Sequence, residues 1–238
     1  MCGVPRSGTT ALTQLLNGHP LVGLGIERFR LQWLAGKMSP ELFERQRFFS
    51  YQPEDGAPDV FAKYAKDYDE LDRKWDDLTV FGDKVPRYYA SPPWSAFPSA
   101  QLVFIARGPG AVAASWARRA RDKSDVSWAE TNDFNPAIQE WNTGMRTARR
   151  LAYSHPGRFI VVSYDDIFSN DMTAFSGLLR QIGLLPSKAM IAFHSELIKD
   201  RPAFNAAHTP EELNMLKQAD MSTYEELLEI ARDQSMAR

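Results

Sequence analysis

The sequence predicts an α/β fold in which a mostly parallel central sheet carries helices on both faces, giving three layers. Two observations support this prediction. Apolar stretches near residues 1, 79, 102 and 159 alternate with helical patterns, as they do where helical crossovers join parallel strands. In addition, a glycine-containing loop separates the first apolar stretch from the first helix, and such loops bind ligands at the carboxyl edge of a parallel sheet.

Length and composition are those of one globular domain. The chain has 238 residues, 44% of them hydrophobic, so we expect a single domain over residues 1–238. The net charge of −2 provides no general attraction for nucleic acid, and any anion site must be local. Cys2 is the only cysteine, which excludes an intrachain disulfide. No apolar run approaches the ~18 residues that span a bilayer, so we expect a cytoplasmic protein without a membrane span.

The loop from Gly3 to Thr10 follows the pattern G-x-x-x-x-G-[K]-[ST], in which backbone N–H groups surround an anion. Apolar residues at helical spacing come next, so the positive end of a helix dipole faces the loop. Thr9 stands where nucleoside triphosphatases carry lysine, and the nearest cation is Arg6. The sequence therefore predicts a P-loop NTPase-like sandwich whose anion site has Arg6 as its nearest cation instead of the usual lysine. Only four residues precede Pro5, which is short for a strand.

The next part of the chain is predicted to be mainly helical. A turn at His19-Pro20 leads to a short extended segment, Leu21 to Gly25, and we interpret His19 as structural. Aromatic and basic residues follow from Ile26 to Ala65, and we expect a helical segment on the acceptor side at about 27–78. Most of its aromatic side chains should pack on the sheet, while some should line an acceptor pocket.

Two predicted strands end at basic residues. Thr79 to Phe81 is a short strand followed by Lys84, and Gln101 to Ala106 is an apolar run followed directly by Arg107. Open α/β sheets bind their ligands at the carboxyl ends of the strands. We therefore expect Lys84 and Arg107 at the ligand-binding edge, although spacing alone would also suit a solvated lysine.

The helix after the second of these strands, Gly110 to Arg121, is rich in arginine. Ser115 and Arg119 lie four residues apart and share one face of the helix, so both can reach the same ligand. Arg118 and Arg121 are interpreted as the solvated basic end of the helix, which the helix dipole favours.

A further strong strand is predicted within Arg158 to Asp166. Asp165 suits a Walker B aspartate, but such a magnesium ligand would be expected to accompany the loop lysine that this chain lacks, and we expect no metal site. Other helical patterns are Pro136 to Ala152, Met172 to Ile182, Ser187 to Ile198, Pro210 to Gln218 and Ser222 to Arg232. The glycine loop is one predicted anion site, and Arg107 with Ser115 and Arg119 is a second at the same edge of the sheet. Such a pair of sites suits a nucleotide with phosphates on two sides of its ribose.

The two motifs together resemble those of the sulfotransferases that use 3′-phosphoadenosine 5′-phosphosulfate (PAPS). They are the loop from Pro5 to Thr10 and Arg107 with Ser115 and Arg119 at spacings of eight and twelve. The resemblance is greatest to the branch that contains the protein-tyrosine sulfotransferases and bacterial relatives. It covers residues 1–30 and 80–185 well and the remainder loosely.

The resemblance implies roles for particular residues. The 5′-phosphosulfate would be held by Arg6, Ser7, Gly8, Thr9 and Thr10. The 3′-phosphate would be held by Arg107 and Ser115, with Arg119 and Tyr164 as further nucleotide contacts. The catalytic residues would be Glu27, Arg6 and Lys84, with Glu27 at the position of the general base.

The chemistry of sulfuryl transfer is consistent with these residues. A sulfuryl group carries less charge than a γ-phosphoryl group, so arginine, lysine and amide dipoles can stabilise its transfer without magnesium. The expected acceptor is a hydroxyl, or less favourably an amine, of a small molecule, glycan or peptide. Two alternatives on the same fold are a P-loop kinase or NTPase, which requires ATP and magnesium, and a non-catalytic nucleotide-binding protein.

Overall fold

The central sheet consists of two parallel strand pairs. A computed structural model describes residues 1–125, 128–199 and 207–236 of the chain. Strand β1 (Val22–Ile26) pairs in parallel with β2 (Val80–Lys84), and β3 (Leu102–Ala106) pairs in parallel with β4 (Phe159–Ser163). The predicted parallel strands near 79, 102 and 159 are thereby confirmed, and the short extended segment after His19 forms a full strand, β1.

The first residues of the chain join the two pairs. Cys2 forms a parallel bridge with Phe104 of β3, and its N–H donates to the Val103 carbonyl at 2.8 Å. On the other side, the N–H of Val85 donates to the Met1 carbonyl at 3.1 Å. The strand expected near residue 1 is therefore a single bridge, because the chain leaves the sheet immediately afterwards to form the glycine loop.

Helices account for most of the remaining described chain. The α-helices are α1 (Thr9–Asn17), α2 (Arg30–Leu34), α3 (Arg45–Phe49), α4 (Pro58–Lys63), α5 (Ala65–Arg73), α6 (Pro109–Arg121), α7 (Phe134–Ser154), α8 (Tyr164–Ile167), α9 (Thr173–Gln181), α10 (Lys188–Lys199), α11 (Pro210–Leu216) and α12 (Met221–Met236). Short 3₁₀ helices occupy Pro40–Phe43, Trp75–Asp77 and Pro86–Tyr89. Within the described residues, no helix is both long and apolar enough to cross a lipid bilayer.

Both faces of the sheet are covered, which confirms the three-layer α/β prediction. Side chains alternate along a strand, so Phe104 of β3 belongs to the buried cluster that includes Trp116 of α6 and Trp141 of α7. The neighbouring Ile105 belongs to the cluster on the opposite face with Leu12 of α1 and Phe175 of α9. Each fully buried side chain of this kind contributes about 1.5–3 kcal/mol.

Two residues with a possible chemical role are structural. His19 is buried, accepts the Leu21 N–H at Nδ1 over 3.1 Å, and donates from Nε2 to the Leu185 carbonyl at 3.1 Å. Both ring nitrogens are thus used, as expected for a structural histidine. Cys2 is fully buried, and this burial raises the pKa of its thiol to about 12. The thiol is therefore protonated at neutral pH and is a poor nucleophile.

The helical segment after β1 has its own core and a buried ionic network. Phe29 and Phe48 are buried in this core and pack edge to face at 5.8 Å between ring centres. Aromatic residues predicted to pack on the sheet thus form a separate cluster within the segment. Arg28 Nη1 lies 2.6 Å from the Asp55 carboxylate, which Arg47 also contacts. Burial raises the pKa of Asp55, but the hydrogen bonds from the two arginines and a backbone N–H outweigh it and lower the pKa to about 2.

Candidate functional site

The glycine loop presents backbone N–H groups at the start of α1. Gly8 has a φ of 95°, a left-handed conformation that glycine adopts readily. A Cβ atom at Gly8 would also lie 2.5 Å from a ring carbon of Tyr164, so no other residue fits there without movement. No described side chain caps the start of α1, and the first N–H groups of a helix have no intrahelical partner.

Ser7 adds an unused polar atom to the loop. Its side chain is fully buried, and its Oγ has no hydrogen-bond partner among the described residues. An unsatisfied buried hydroxyl costs about 1–3 kcal/mol, a cost that a bound anion would remove. The uncapped helix start and the unpaired hydroxyl together fit a phosphate or sulfate group.

Arg6 connects the loop to α6. Its Nε donates to Ser115 Oγ at 3.0 Å, and its carbonyl accepts from Arg107 Nη1 at 3.3 Å. The pKa of Arg6 is lowered by partial desolvation and by the nearby guanidinium groups of Arg119 and Arg118. Several positive charges therefore face one another, an arrangement that an anion would stabilise.

Arg107 and Tyr164 form a stacked pair beside the loop. The guanidinium of Arg107 lies 3.9 Å from the centre of the Tyr164 ring, whose edge contacts the loop at Gly8. The indole Nε1 of Trp141 donates to the Arg107 carbonyl at 2.8 Å and fixes this strand end. The structure thus brings together two residues that lie far apart in the sequence.

The helical face predicted for Ser115 and Arg119 is observed, since both residues line one cleft. Arg119 is not a freely extended side chain. Its Nε donates to the Asp125 carboxylate, and its guanidinium lies 4.6 Å from the centre of the Trp128 ring. These contacts hold the charge of Arg119 at the wall of the cleft.

Glu27 lines the same cleft as Arg6 and Thr10 and follows β1 immediately. Its backbone has a φ of 56°, and its N–H donates to the Lys84 carbonyl at the end of β2 at 2.8 Å. Lys84 Nζ donates to Glu27 Oε1 at 3.0 Å, and the lysine is only 1% exposed. A buried ammonium group needs a charged partner, and the partly exposed carboxylate of Glu27 provides it.

The cleft has a volume of about 430 Å³ and contains five of the predicted site residues. Its lining consists of Arg6, Thr10, Glu27, Asp59, Val60, Lys63, Tyr64, Ser115, Arg118, Arg119, Asp122 and Asp125. Ser7, Thr9 and Lys84 are buried. The structure therefore places five of the predicted residues in the cleft lining, which are Arg6, Thr10, Glu27, Ser115 and Arg119. The other six are not in the lining, namely Ser7, Gly8, Thr9, Lys84, Arg107 and Tyr164.

Sequence reasoning missed several residues of the cleft wall. Val60 and Tyr64, which are four residues apart at the end of α4, line the cleft, and nothing in their local pattern separates them from other helical residues. Arg118, interpreted from the sequence as part of the solvated helix end, is indeed exposed in the last turn of α6, but it also lines the cleft. Arg121 instead lies 3.5 Å from Glu212, so the two arginines differ in their surroundings.

Comparison with known proteins gives matches that are all described as sulfotransferases. The sequence model described as "Sulfotransferase family" matches residues 1–186. One relative, described as "Putative protein-tyrosine sulfotransferase" from Caenorhabditis briggsae, is 25% identical over 203 residues, which cover 82% of this chain and 68% of the relative.

Solved structures share the fold at low sequence identity. The sulfotransferase domain of the Synechococcus PCC 7002 olefin synthase has a TM-score of 0.51 at 17% identity, with 91% of each chain covered. The sulfotransferase domain from the curacin biosynthetic pathway has a TM-score of 0.52 at 14% identity, covering 91% of this chain and 95% of that one. Sulfotransferase STF9 from Mycobacterium avium has a TM-score of 0.52 at 13% identity, covering 98% and 75%. Because the family model spans most of the sequence, the chain belongs to the Sulfotransferase family.

Proposed function

We propose that this protein transfers a sulfuryl group from PAPS to an acceptor hydroxyl, with Glu27 as the general base. The observation that carries the proposal is the single cleft that Arg6 and Glu27 both line, with the buried Lys84 ammonium 3.0 Å from Glu27 Oε1. A loop suited to an anion and a carboxylate that line one cleft are the two parts that this transfer requires.

The donor would be bound by groups that fit anions. The 5′-phosphosulfate would lie on the loop from Arg6 to Thr10, where the N–H groups at the start of α1 and the unpaired Ser7 hydroxyl are located. The 3′-phosphate would lie on Arg107 and Ser115, with Arg119 and Tyr164 as further contacts. The connection of Arg6 to Ser115 and Arg107 supports one continuous site for both groups.

Each catalytic side chain has one task. PAPS supplies the sulfuryl group and leaves as 3′-phosphoadenosine 5′-phosphate. As the acceptor oxygen forms its bond to sulfur, the carboxylate of Glu27 accepts the hydroxyl proton, so the acceptor becomes a sulfate ester and the proton stays on the enzyme until solvent removes it. Arg6 and Lys84 stabilise the negative charge around the transferred group.

The acceptor is proposed to be a hydroxyl compound, and a tyrosyl hydroxyl is the first candidate to test. The name of the relative from Caenorhabditis briggsae supports this choice. Small-molecule phenols, glycans and amines are the comparison compounds for the same assay.

Calorimetry with 3′-phosphoadenosine 5′-phosphate tests donor binding directly. We expect binding well below millimolar concentration without added metal, because the anion groups are supplied by the chain itself. ATP with magnesium is the control, and we expect it to bind at least ten times more weakly, since Thr9 replaces the lysine of triphosphatases. No binding of the adenosine bisphosphate at millimolar concentration would refute the proposal, and preferential binding of magnesium ATP would favour a kinase or NTPase.

A further inference from the structure

Asp83 is a buried carboxylate at the carboxyl end of β2 with a nearly complete set of hydrogen bonds. It is 4% exposed. Its Oδ1 accepts the backbone N–H groups of Arg28 at 3.1 Å and Lys84 at 2.8 Å, and its Oδ2 accepts the N–H of Phe29 at 2.9 Å. A longer contact of 3.5 Å joins Oδ2 to the Tyr88 hydroxyl. Burial raises the pKa of Asp83, while the N–H groups of Phe29 and Arg28 oppose that change.

These hydrogen bonds surround Glu27 on both sides. Arg28 and Phe29 follow Glu27 directly, and Lys84 is the residue whose side chain and carbonyl both contact it. Glu27 itself has a φ of 56°, and a non-glycine residue keeps such a strained conformation only where the surrounding structure imposes it. The carboxylate of Asp83 thus holds both the turn after Glu27 and the backbone of Lys84, which is the ion-pair partner of Glu27.

We propose that Asp83 is the positioning residue of the catalytic centre, which holds Glu27 in its left-handed turn and Lys84 beside it without contacting the substrate. This inference rests on the proposed function for the role of Glu27 in transfer, but the geometry that it assigns to Asp83 does not depend on activity. A carboxylate that accepts several N–H groups holds its donors firmly, because hydrogen bonds to a charged acceptor are stronger than those to a neutral one.

Glycines on both sides of the turn leave room for this arrangement. A Cβ at Gly25 would lie 2.9 Å from Asp83 Oδ1, and a Cβ at Gly56 would lie 2.8 Å from the Glu27 carbonyl oxygen. The turn at Glu27 is therefore enclosed by Asp83 on one side and by the backbone of Gly56 on the other. A small displacement of either would move the carboxylate of Glu27.

The variant Asp83→Asn tests the inference. Asparagine has the same shape, but its amide nitrogen cannot accept an N–H, so at least one of the three backbone donors loses its partner. We expect a crystal structure to show Glu27 outside the left-handed region and Lys84 Nζ farther than 3.0 Å from Glu27 Oε1. We also expect kcat to fall roughly 10- to 100-fold, with the Kd for 3′-phosphoadenosine 5′-phosphate within about twofold of the unchanged protein.

Two further variants distinguish positioning from general destabilisation. Tyr88→Phe removes only the 3.5 Å contact to Asp83 and leaves its backbone hydrogen bonds intact, so kcat should stay within about twofold. If Asp83→Asn does not fold, Gly56→Ala displaces Glu27 from the opposite side and should reduce kcat with unchanged nucleotide binding.

The inference would be overturned if the Glu27 turn kept its position in Asp83→Asn. It would also be overturned if the turn were displaced in Asp83→Asn or in Gly56→Ala while kcat stayed unchanged. If the unaltered protein binds the nucleotide but transfers to no acceptor, the proposed function fails. The crystal structure of Asp83→Asn would still decide whether Asp83 sets the position of Glu27.

Discussion

The two walls of the cleft are built in different ways. The donor wall, which is proposed to bind PAPS and is formed by the glycine loop and α6, depends on backbone groups and short-range spacing, with Gly8 at a φ of 95°. The acceptor wall, which is proposed to bind the acceptor and is formed by Glu27 and the helical segment after β1, depends on long-range contacts such as the 2.6 Å pair between Arg28 and Asp55. The difference shows why a local motif predicts the ligand of one wall while no motif predicts the ligand of the other.

The two walls nevertheless share one feature. Arg6, with a φ of 77°, and Glu27, with a φ of 56°, are the only non-glycine residues with positive φ in the described part of the chain. Strained backbone of this kind clusters at functional sites because the surrounding structure must impose it. One such residue stands on each wall, which supports treating the cleft as a single functional unit.

The largest effect is expected from Glu27→Gln, which alters the acceptor wall chemically. Glutamine cannot accept the acceptor proton, so we expect kcat to fall roughly 10²- to 10⁴-fold. Nucleotide binding should change by less than about threefold, because the loop is untouched. The measurement is transfer from PAPS to a tyrosyl peptide alongside calorimetry, and retained turnover would exclude Glu27 as the base.

The variant Asp55→Asn tests the long-range construction of the acceptor wall. It leaves the buried guanidinium of Arg28 without its charged partner, and breaking a buried ion pair typically costs about 3–5 kcal/mol. We expect this loss in the free energy of urea unfolding. The exposed pair of Lys123 and Glu130 supplies a control, since Glu130→Gln should have a much smaller effect on the free energy of unfolding. Equal effects of the two variants would contradict the importance of the buried network.

Low pH should remove the stabilisation that the Asp55 carboxylate provides. The pKa of Asp55 is lowered from 3.8 to about 2 in the folded protein, so its stabilising effect is complete above pH 3.8 and is lost as the pH falls through 2. The stability difference between the unchanged protein and Asp55→Asn should therefore shrink over this interval. A difference that stayed constant down to pH 2 would show that the carboxylate charge is not responsible.

The variant Gly8→Ala tests the donor wall. Its Cβ would lie 2.5 Å from the Tyr164 ring in a left-handed backbone, so we expect nucleotide affinity to fall about 10- to 100-fold. Gly36→Ala is a matched control, because Gly36 also has a positive φ, of 67°, but nothing lies within 4 Å of its Cβ position. Both variants should lose about 1 kcal/mol of stability from backbone strain, and only Gly8→Ala should weaken binding.

The smallest expected effect is a difference in nucleotide binding between variants of two arginines of α6. Arg118 lines the cleft, whereas Arg121 lies 3.5 Å from Glu212 outside the cleft lining. We expect Arg118→Met to weaken nucleotide binding about two- to fivefold through lost charge, with a larger effect at low salt. Arg121→Met should leave the Kd unchanged. Similar effects of both variants would mean that only the overall charge of the helix matters.

Much of the fold and of the donor wall follows from local sequence. The loop from Gly3 to Thr10, the buried strand before Arg107 and the four-residue spacing of Ser115 and Arg119 each depend on neighbouring residues. Helical and strand periodicity are properties of a few consecutive residues, so the sequence predicts them directly. The three-layer architecture follows because strands and helices alternate.

The contacts between these loops, strands and helices are seen only in the tertiary structure. It places Arg118 and Tyr64 in the cleft, reduces the first strand to one bridge at Cys2, and surrounds the Glu27 turn with the hydrogen bonds of Asp83. Asp83, at the end of β2, accepts the N–H groups of Arg28 and Phe29, which follow the neighbouring strand β1. No local pattern specifies that these two strands pair. The glycine-loop pattern and the alternation of strands and helices can be predicted from short stretches of sequence, because each involves neighbouring residues. The proposed acceptor wall cannot, because it depends on contacts between residues far apart in the chain.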